Sequence, residues 1–438
     1  MATVREACKV EGRGERPAFV RLLLCVAGAV LATAAPATAG NPVTDWNVIA
    51  ARKTIAFTTV PVEQTRLMAI VQISVHDAVN GITKAFEPYG RHGSPPAGAS
   101  PEAAAIAAAY YALGLIVTGP PAADLDDLYA QSLATHGVAA FDPGLDYGRA
   151  VAAVVFALRT GDGSSLQMSQ FPFTAPNAGT PGVWELLAGQ TALRPGWGNV
   201  RPFVLKRGWQ FRPDPPPALN SEQYAKDLTE VLDIGRNVSP SRVLEQEHIA
   251  RFWRASPTAI WNVVLETILK ARNPDLSTTA RSCALVYLAA ADASVAVWEA
   301  KYFYNFWRPE PAIVRAYEDG NPSTHPDATW KPLLPTPPHP EYPSAHTANS
   351  GAMAFVLSQL FGDAPGVLLE VTQPSGIAEP PMITRQWGTL DEALDEVIEA
   401  RIYSGIHFRT ADVVGARLGR QVGQFVLTHA LRPKRPGR

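Results

Sequence analysis

The chain has 438 residues, of which 47% are hydrophobic, 18% charged and 9% aromatic, a globular composition too apolar for a disordered protein. Lysine plus arginine total 38 against 40 acidic residues, and this net charge of −2, with no basic block before the tail, argues against a general nucleic-acid binder. Three cysteines, at 8, 25 and 283, are too few for a disulfide scaffold, a Cys-rich zinc site or an iron–sulfur cluster.

Residues 1–39 read as an export signal. Arg5, Lys9, Arg13, Arg16 and Arg21 precede the apolar run Leu22–Ala35, and Ala37-Thr38-Ala39 supplies a small-x-small cleavage site. The run is shorter than the ~20 residues of a membrane span. Cleavage after Ala39 is expected, giving a secreted or periplasmic protein with Cys283 as its one cysteine and no membrane span.

After the signal, residues 40–240 are expected to form a helical region with long loops, and 241–432 a second helical region before a basic tail at 433–438. Apolar spacing predicts helices over 61–82, 101–118, 124–136 and 145–159. Residues 161–220 are rich in Gly, Pro, Trp and Phe without a period, and read as a long packed loop. Helices return at 221–234, 242–254, 257–271 and 276–306, the last with Ser277 as N-cap. Ten prolines in the 35 residues 309–343 exclude helix and central strand. Helices follow at 345–361 and 391–431, the second broken at Ser404-Gly405. Strand signals are weak, so the fold class is mainly α.

Three short clusters suit an anion. Lys301 and Arg308 are seven apart, two turns of an unbroken helix and hence one face, where two cations repel unless an anion lies between them. In Pro343-Ser344-Ala345-His346 a helix begins beside a hydroxyl, its free N–H groups forming an oxyanion pocket, with His346 in reach for proton transfer. Arg401 and His407, six apart, are turned toward one pocket by the Ser404-Gly405 break.

Lys, six residues, Arg-Pro; Pro-Ser-small-His; Arg, five residues, His: in this order the clusters resemble the signature of the vanadium-dependent haloperoxidase and type-2 phosphatidic-acid phosphatase superfamily, over roughly residues 276–430. The resemblance implies a helical bundle with long Pro/Gly-rich loops and a catalytic region at 241–432. It implies vanadate as cofactor, with phosphate fitting the same site. His407 would be the axial vanadium ligand. Lys301, Arg308, Arg401, Ser344 and the Ala345 N–H would hold the oxyanion, and His346 would take a proton from hydrogen peroxide. A halide then yields a hypohalous equivalent that halogenates an organic acceptor.

The same groups serve a phosphatase acting on a phosphomonoester, with His407 as nucleophile and His346 as general acid. The sequence around Trp307, Tyr342 and Tyr403 is more similar to haloperoxidases, and His339, seven residues before His346, is associated there with bromide oxidation. Two departures stand out. Ala345 replaces the usual glycine, which leaves open a catalytically silent oxyanion-binding protein. The acid after the last histidine, Asp412, is displaced by one residue, and Asp292 on the long helix is a second candidate for orienting a cation or histidine. The sequence carries no signal for oligomeric state, and no dinucleotide loop, HExxH or GxSxG competes.

Overall fold

Proline placed one residue past a short polar side chain starts helix after helix in this chain. Asn41, Ser100, Asp142 and Ser256 each accept a hydrogen bond from the first turn, and Pro follows at the next position, where its missing N–H costs nothing. In the computed structural model, which describes residues 40–165 and 177–434, these caps open α1 (Pro42–Phe57), α3 (Pro101–Ile116), α5 (Pro143–Arg159) and α8 (Pro257–Arg272). The expected signal at 1–39 and the last residues of the basic tail lie outside the described residues.

The other helices are α2 (Pro61–Thr83), α4 (Leu125–Thr135), α6 (Glu222–Ile234), α7 (Leu244–Phe252), α9 (Leu276–Tyr304), α10 (Pro309–Val314), α11 (Ala345–Phe361), α12 (Leu390–Tyr403) and α13 (Arg409–His429). One antiparallel hairpin, β1 (Leu369–Pro374) and β2 (Met382–Trp387), pairs Leu369 with Trp387 and Pro374 with Met382. The described residues form one unit. Its axis is α9, which packs against α2, α11 and α13. By length and a mean hydropathy of 1.4, α9 is apolar enough to cross a membrane, but 94% of that window is buried in protein, so the fold uses it as its core helix. The sequence expectation of no such stretch after residue 39 is corrected on this point.

Three further expectations change. Asp275, not Ser277, caps α9, accepting from the Thr278 N–H at 2.7 Å, while the Ser277 hydroxyl reaches Thr83. The Pro-rich stretch contains α10, because Pro309 and Pro311 both fall in its first turn, where no N–H is needed. Because α9 ends at Tyr304, with Asn305 left-handed at φ 50°, Lys301 and Arg308 are not on one helical face. The chain bend, not helical periodicity, brings them together. Helix α1 and the hairpin were not expected at all.

Two close approaches set the site. A Cβ on Gly415 would lie 2.4 Å from the Ser344 carbonyl, and one on Gly419 would lie 2.0 Å from the Ala348 carbonyl, so glycine lets α13 lie directly on α11. Gly405, at φ 76° and against the Gly235 carbonyl, turns the chain between α12 and α13. Its neighbours Ile406 and His407 are thereby directed inward.

Candidate active site

Lys301 ends the buried run of α9 and is itself fully buried. Its Nζ donates to the carbonyls of Pro340 and Glu341, both at 2.9 Å, and so pins the loop that leads into α11. Arg308, 1% exposed, caps α10. Its Nε donates to the His339 carbonyl at 3.0 Å, and its Nη1 donates to the Ile406 carbonyl at 2.7 Å and to His407 Nε2 at 3.1 Å. Its Nη2 donates to His339 Nδ1 at 2.9 Å. Arg401, in the last turn of α12, donates through Nη1 to the Trp253 carbonyl at 3.1 Å, and its buried Nε has no partner.

None of these three cations forms an ion pair among the described residues. Burial and mutual repulsion push Lys301 well below its ordinary pKa, while burial brings Arg308 and Arg401 down to about 10. A buried cation without a direct ion pair is costly, and three together, with Glu341 and Asp412 near but not paired to them, form a trap for a compact anion.

The two histidines are held in defined states. His407 Nδ1 lies 2.8 Å from Glu341 Oε1, which also accepts from the Phe408 N–H at 3.0 Å. An oxygen already accepting from a backbone N–H is an acceptor here, so Nδ1 carries the proton and Nε2 keeps its lone pair. Burial, then Arg308 and Lys301, hold His407 well below the usual range, so the ring is neutral. His346 Nε2 donates to the Ala255 carbonyl at 3.0 Å, leaving Nδ1 as the acceptor. Burial and Arg401 keep this ring neutral too.

His339, Ala345, His346, Arg401 and His407 line one cavity of about 220 Å³, together with Arg254, Trp298 and Asn349. Lys301, Arg308 and Ser344 stand behind that surface. His339 packs on Trp298 with ring centroids 4.9 Å apart. Ser344 occupies the N-cap position of α11 but makes no capping hydrogen bond; its hydroxyl lies beside the buried Asp412 carboxylate. Ser344 N–H donates to the Ala411 carbonyl at 3.0 Å, which ties the start of α11 to α13.

Two sequence candidates take other roles. Asp292 is completely buried and accepts from the N–H groups of Phe203, Val204 and Leu205 at 2.6, 2.8 and 2.8 Å. It anchors that loop to α9 and orients neither site histidine. Asp412 does not touch His407; burial raises its pKa, and Ser344 is its neighbour. The carboxylate behind His407 is Glu341, which sequence reasoning passed over although it lies two residues before Pro343. Its position depends on Lys301 and on a hydrogen bond from its N–H to the Phe306 carbonyl. Such long-range contacts have no local signal.

The donor set fits vanadate or phosphate: three buried cations with no direct ion pair among the described residues, the first-turn N–H groups of α11, and a neutral imidazole with its lone pair at Nε2.

Residues 281–435 match the family described as the VCPO second helical-bundle domain. The vanadium chloroperoxidase of Curvularia inaequalis is 32% identical over 117 residues, 24% of this chain and 18% of that protein's length. A solved bacterial vanadium-dependent iodoperoxidase superposes with TM-score 0.78 at 27% identity, covering 90% of this chain and 97% of the other. The apo and holo forms of a bacterial vanadium-dependent chloroperoxidase, at 16% and 18% identity, share the fold with TM-scores of 0.67. The apo form covers 83% of this chain and 94% of its own, the holo form 90% and 94%. With its mainly helical fold and the cluster of cations and histidines about one cavity, the chain is similar to the vanadium-dependent haloperoxidases, and its residues 281–435 match their second helical-bundle domain.

Proposed function

We propose that this chain is a vanadate-dependent haloperoxidase that oxidises halide, bromide foremost, with hydrogen peroxide and passes the hypohalous equivalent to an organic acceptor. The observation that carries this reading is the state of His407: a neutral ring, its Nδ1 proton held by Glu341 and its Nε2 lone pair facing the buried Arg308 guanidinium at 3.1 Å. His407 would hold vanadate through Nε2, with Lys301, Arg308 and Arg401 neutralising the oxygens and Ser344 and the Ala345 N–H adding hydrogen bonds. Bound there, the metal supplies the Lewis acidity that activates peroxide toward halide.

The chain's own residues then do the following. His346, neutral and with Nδ1 free to accept, takes a proton from hydrogen peroxide and becomes imidazolium next to the Ala255 carbonyl, which stabilises that charge. The Nε and Nη2 bonds of Arg308 to His339 fix its guanidinium plane, so that its Nη1, now on His407 Nε2, would be positioned to hold an anion's oxygen. The apolar walls around Trp298 limit water and strengthen each of these interactions. The likeness to an iodoperoxidase adds iodide as the second halide to test.

The same lone pair on His407 is what a phosphatase would use as nucleophile, so one experiment separates the two readings. Purified apo-protein is assayed with and without orthovanadate, for bromide or iodide oxidation and for phosphomonoester hydrolysis. A haloperoxidase gains halide oxidation on adding vanadate. Hydrolysis without vanadate, inhibited when it is added, would instead establish the phosphatase. Tight vanadate or phosphate binding with neither activity would establish the silent binding protein. We further propose export through cleavage after Ala39; an intact Met1 terminus in washed membranes would refute it.

A further inference from the structure

Between α7 and α8 the chain makes a short turn, Trp253-Arg254-Ala255, whose backbone serves the site on both sides of one exposed side chain. The Trp253 carbonyl holds Arg401 and the Ala255 carbonyl holds His346. Arg254, between them, is exposed and lines the same cavity. Among the described residues its guanidinium makes no ion pair and no hydrogen bond, and only its backbone N–H is engaged, to the Arg251 carbonyl. Its resting place is cut into the hairpin loop: a Cβ on Gly376 would lie 1.7 Å from Nη1. Gly376 has φ 77°, a conformation that glycine alone adopts freely.

We propose that Arg254 is the specificity-determining cation that draws the halide to the cavity, a role that rests on the haloperoxidase reading. The reaction needs two anions in one cavity at once. The bound oxyanion takes up Lys301, Arg308 and Arg401, so a second anion requires its own counter-charge. Arg254 is the remaining cation on the cavity lining. The surrounding walls are Pro61, Leu193, Pro257, Trp298 and Pro337, which offer little hydrogen bonding. Such a wall suits a large, weakly hydrated monoanion, bromide or iodide, and disfavours a strongly hydrated one. A free guanidinium at the cavity also raises the local concentration of anions in a way that salt screens.

The test uses Arg254→Gln, Arg254→Lys and Gly376→Ala in the full chain. Removing one unit charge about 6 Å from the halide, in a half-solvated opening, changes binding about tenfold. With vanadate loaded, Arg254→Gln is expected to raise the bromide KM about tenfold with kcat within about twofold, whereas Arg254→Lys stays within about threefold. Gly376→Ala keeps the charge but displaces the guanidinium, and it too should raise KM. Bromide-81 line broadening on the phosphate-loaded protein reads the same site without turnover, and Arg254→Gln should remove the excess broadening. Unchanged broadening and KM in that variant would overturn the proposal. So would a parallel loss of vanadate affinity, which would assign Arg254 to the oxyanion instead. Wild-type broadening that depends on Arg254, in a protein that oxidises no halide, would keep the halide site and reject the haloperoxidase reading.

Discussion

Replacing Lys301 by methionine separates what the buried cations cost from what they do. The methionine fills the same space without charge, so the fold loses two hydrogen bonds to the Pro340 and Glu341 carbonyls and sheds an ammonium that has no ion pair. Each stranded carbonyl costs about 1–3 kcal/mol, and the relieved burial of an unpaired charge returns several. The two offset, so the apo-variant should melt within a few degrees of wild type. Anion binding has no such offset. At an effective dielectric of about 20 and a separation of about 5 Å, one unit charge is worth about 3 kcal/mol, or roughly 10² in Kd. The assay is thermal unfolding at pH 8 with phosphate or orthovanadate at about 100 times the wild-type Kd. Linkage then predicts a stabilisation of ~2.7 kcal/mol for wild type and ~0.4 for the variant. Titration calorimetry should give the same hundredfold ratio. An Lys301→Met protein that binds both anions as tightly as wild type would show that this cation serves the loop alone, and the reasoning about a three-cation trap would fail.

Other substitutions probe the remaining groups. Ala345→Gly removes a methyl from a residue lining the cavity, and if that methyl crowds the oxyanion, relief of about 1–3 kcal/mol of overpacking should tighten vanadate binding about tenfold, read by calorimetry. His407→Ala should abolish either activity, and His346→Ala should slow turnover by about 10²–10⁴ with vanadate affinity retained. Glu266 on α8 is partly buried, and burial pushes its carboxyl from 4.5 up to about 7. The folded state therefore holds a proton there that the unfolded chain has released, so this stability is fully present below pH 4.5 and lost as pH rises through 7. Discounted for partial exposure, Glu266→Gln should gain about 1–2 kcal/mol on wild type between pH 4.5 and 7 in denaturant unfolding, and a constant difference across that range would refute the assignment.

Helices with a leading proline and a sustained apolar period were legible in the sequence, as at 61–83, 101–116 and 257–272, the last two also with a serine cap. So was the break at Ser404-Gly405, because glycine at a positive φ is a local property. Helix α1 has Val43, Trp46 and Ala50 at helical spacing, all buried, but it directly follows the stretch expected to be an export signal, which masks its pattern. The hairpin is short and ends in Pro374, which weakens its alternation. In the site, the cations and histidines were legible because their spacing belongs to a recognisable signature. Their carboxylate partners were not. Glu341 reaches His407 across 66 positions, and Asp292 finds its three donors 87 to 89 positions away. A carboxylate's charge can be read from sequence, whereas its partner is decided by the fold.

That distinction bears on how this site works. Asp292, Asp412 and Glu341 are all buried and all pushed upward by burial, yet they sit at different depths of function. Asp292 is satisfied by three backbone donors and only builds structure. Asp412 stands behind Ser344, close enough to Arg401 to feel its charge. Glu341 alone touches a histidine, and its carboxyl is raised to about 7 despite Arg308 and Lys301 nearby. Had any of the three paired directly with Lys301, Arg308 or Arg401, the cations would be neutralised and the anion would lose most of its attraction. The chain instead spends its carboxylates on a loop, a hydroxyl and a histidine, and presents its cations to carbonyls and neutral rings, which hold them in place without cancelling their charge.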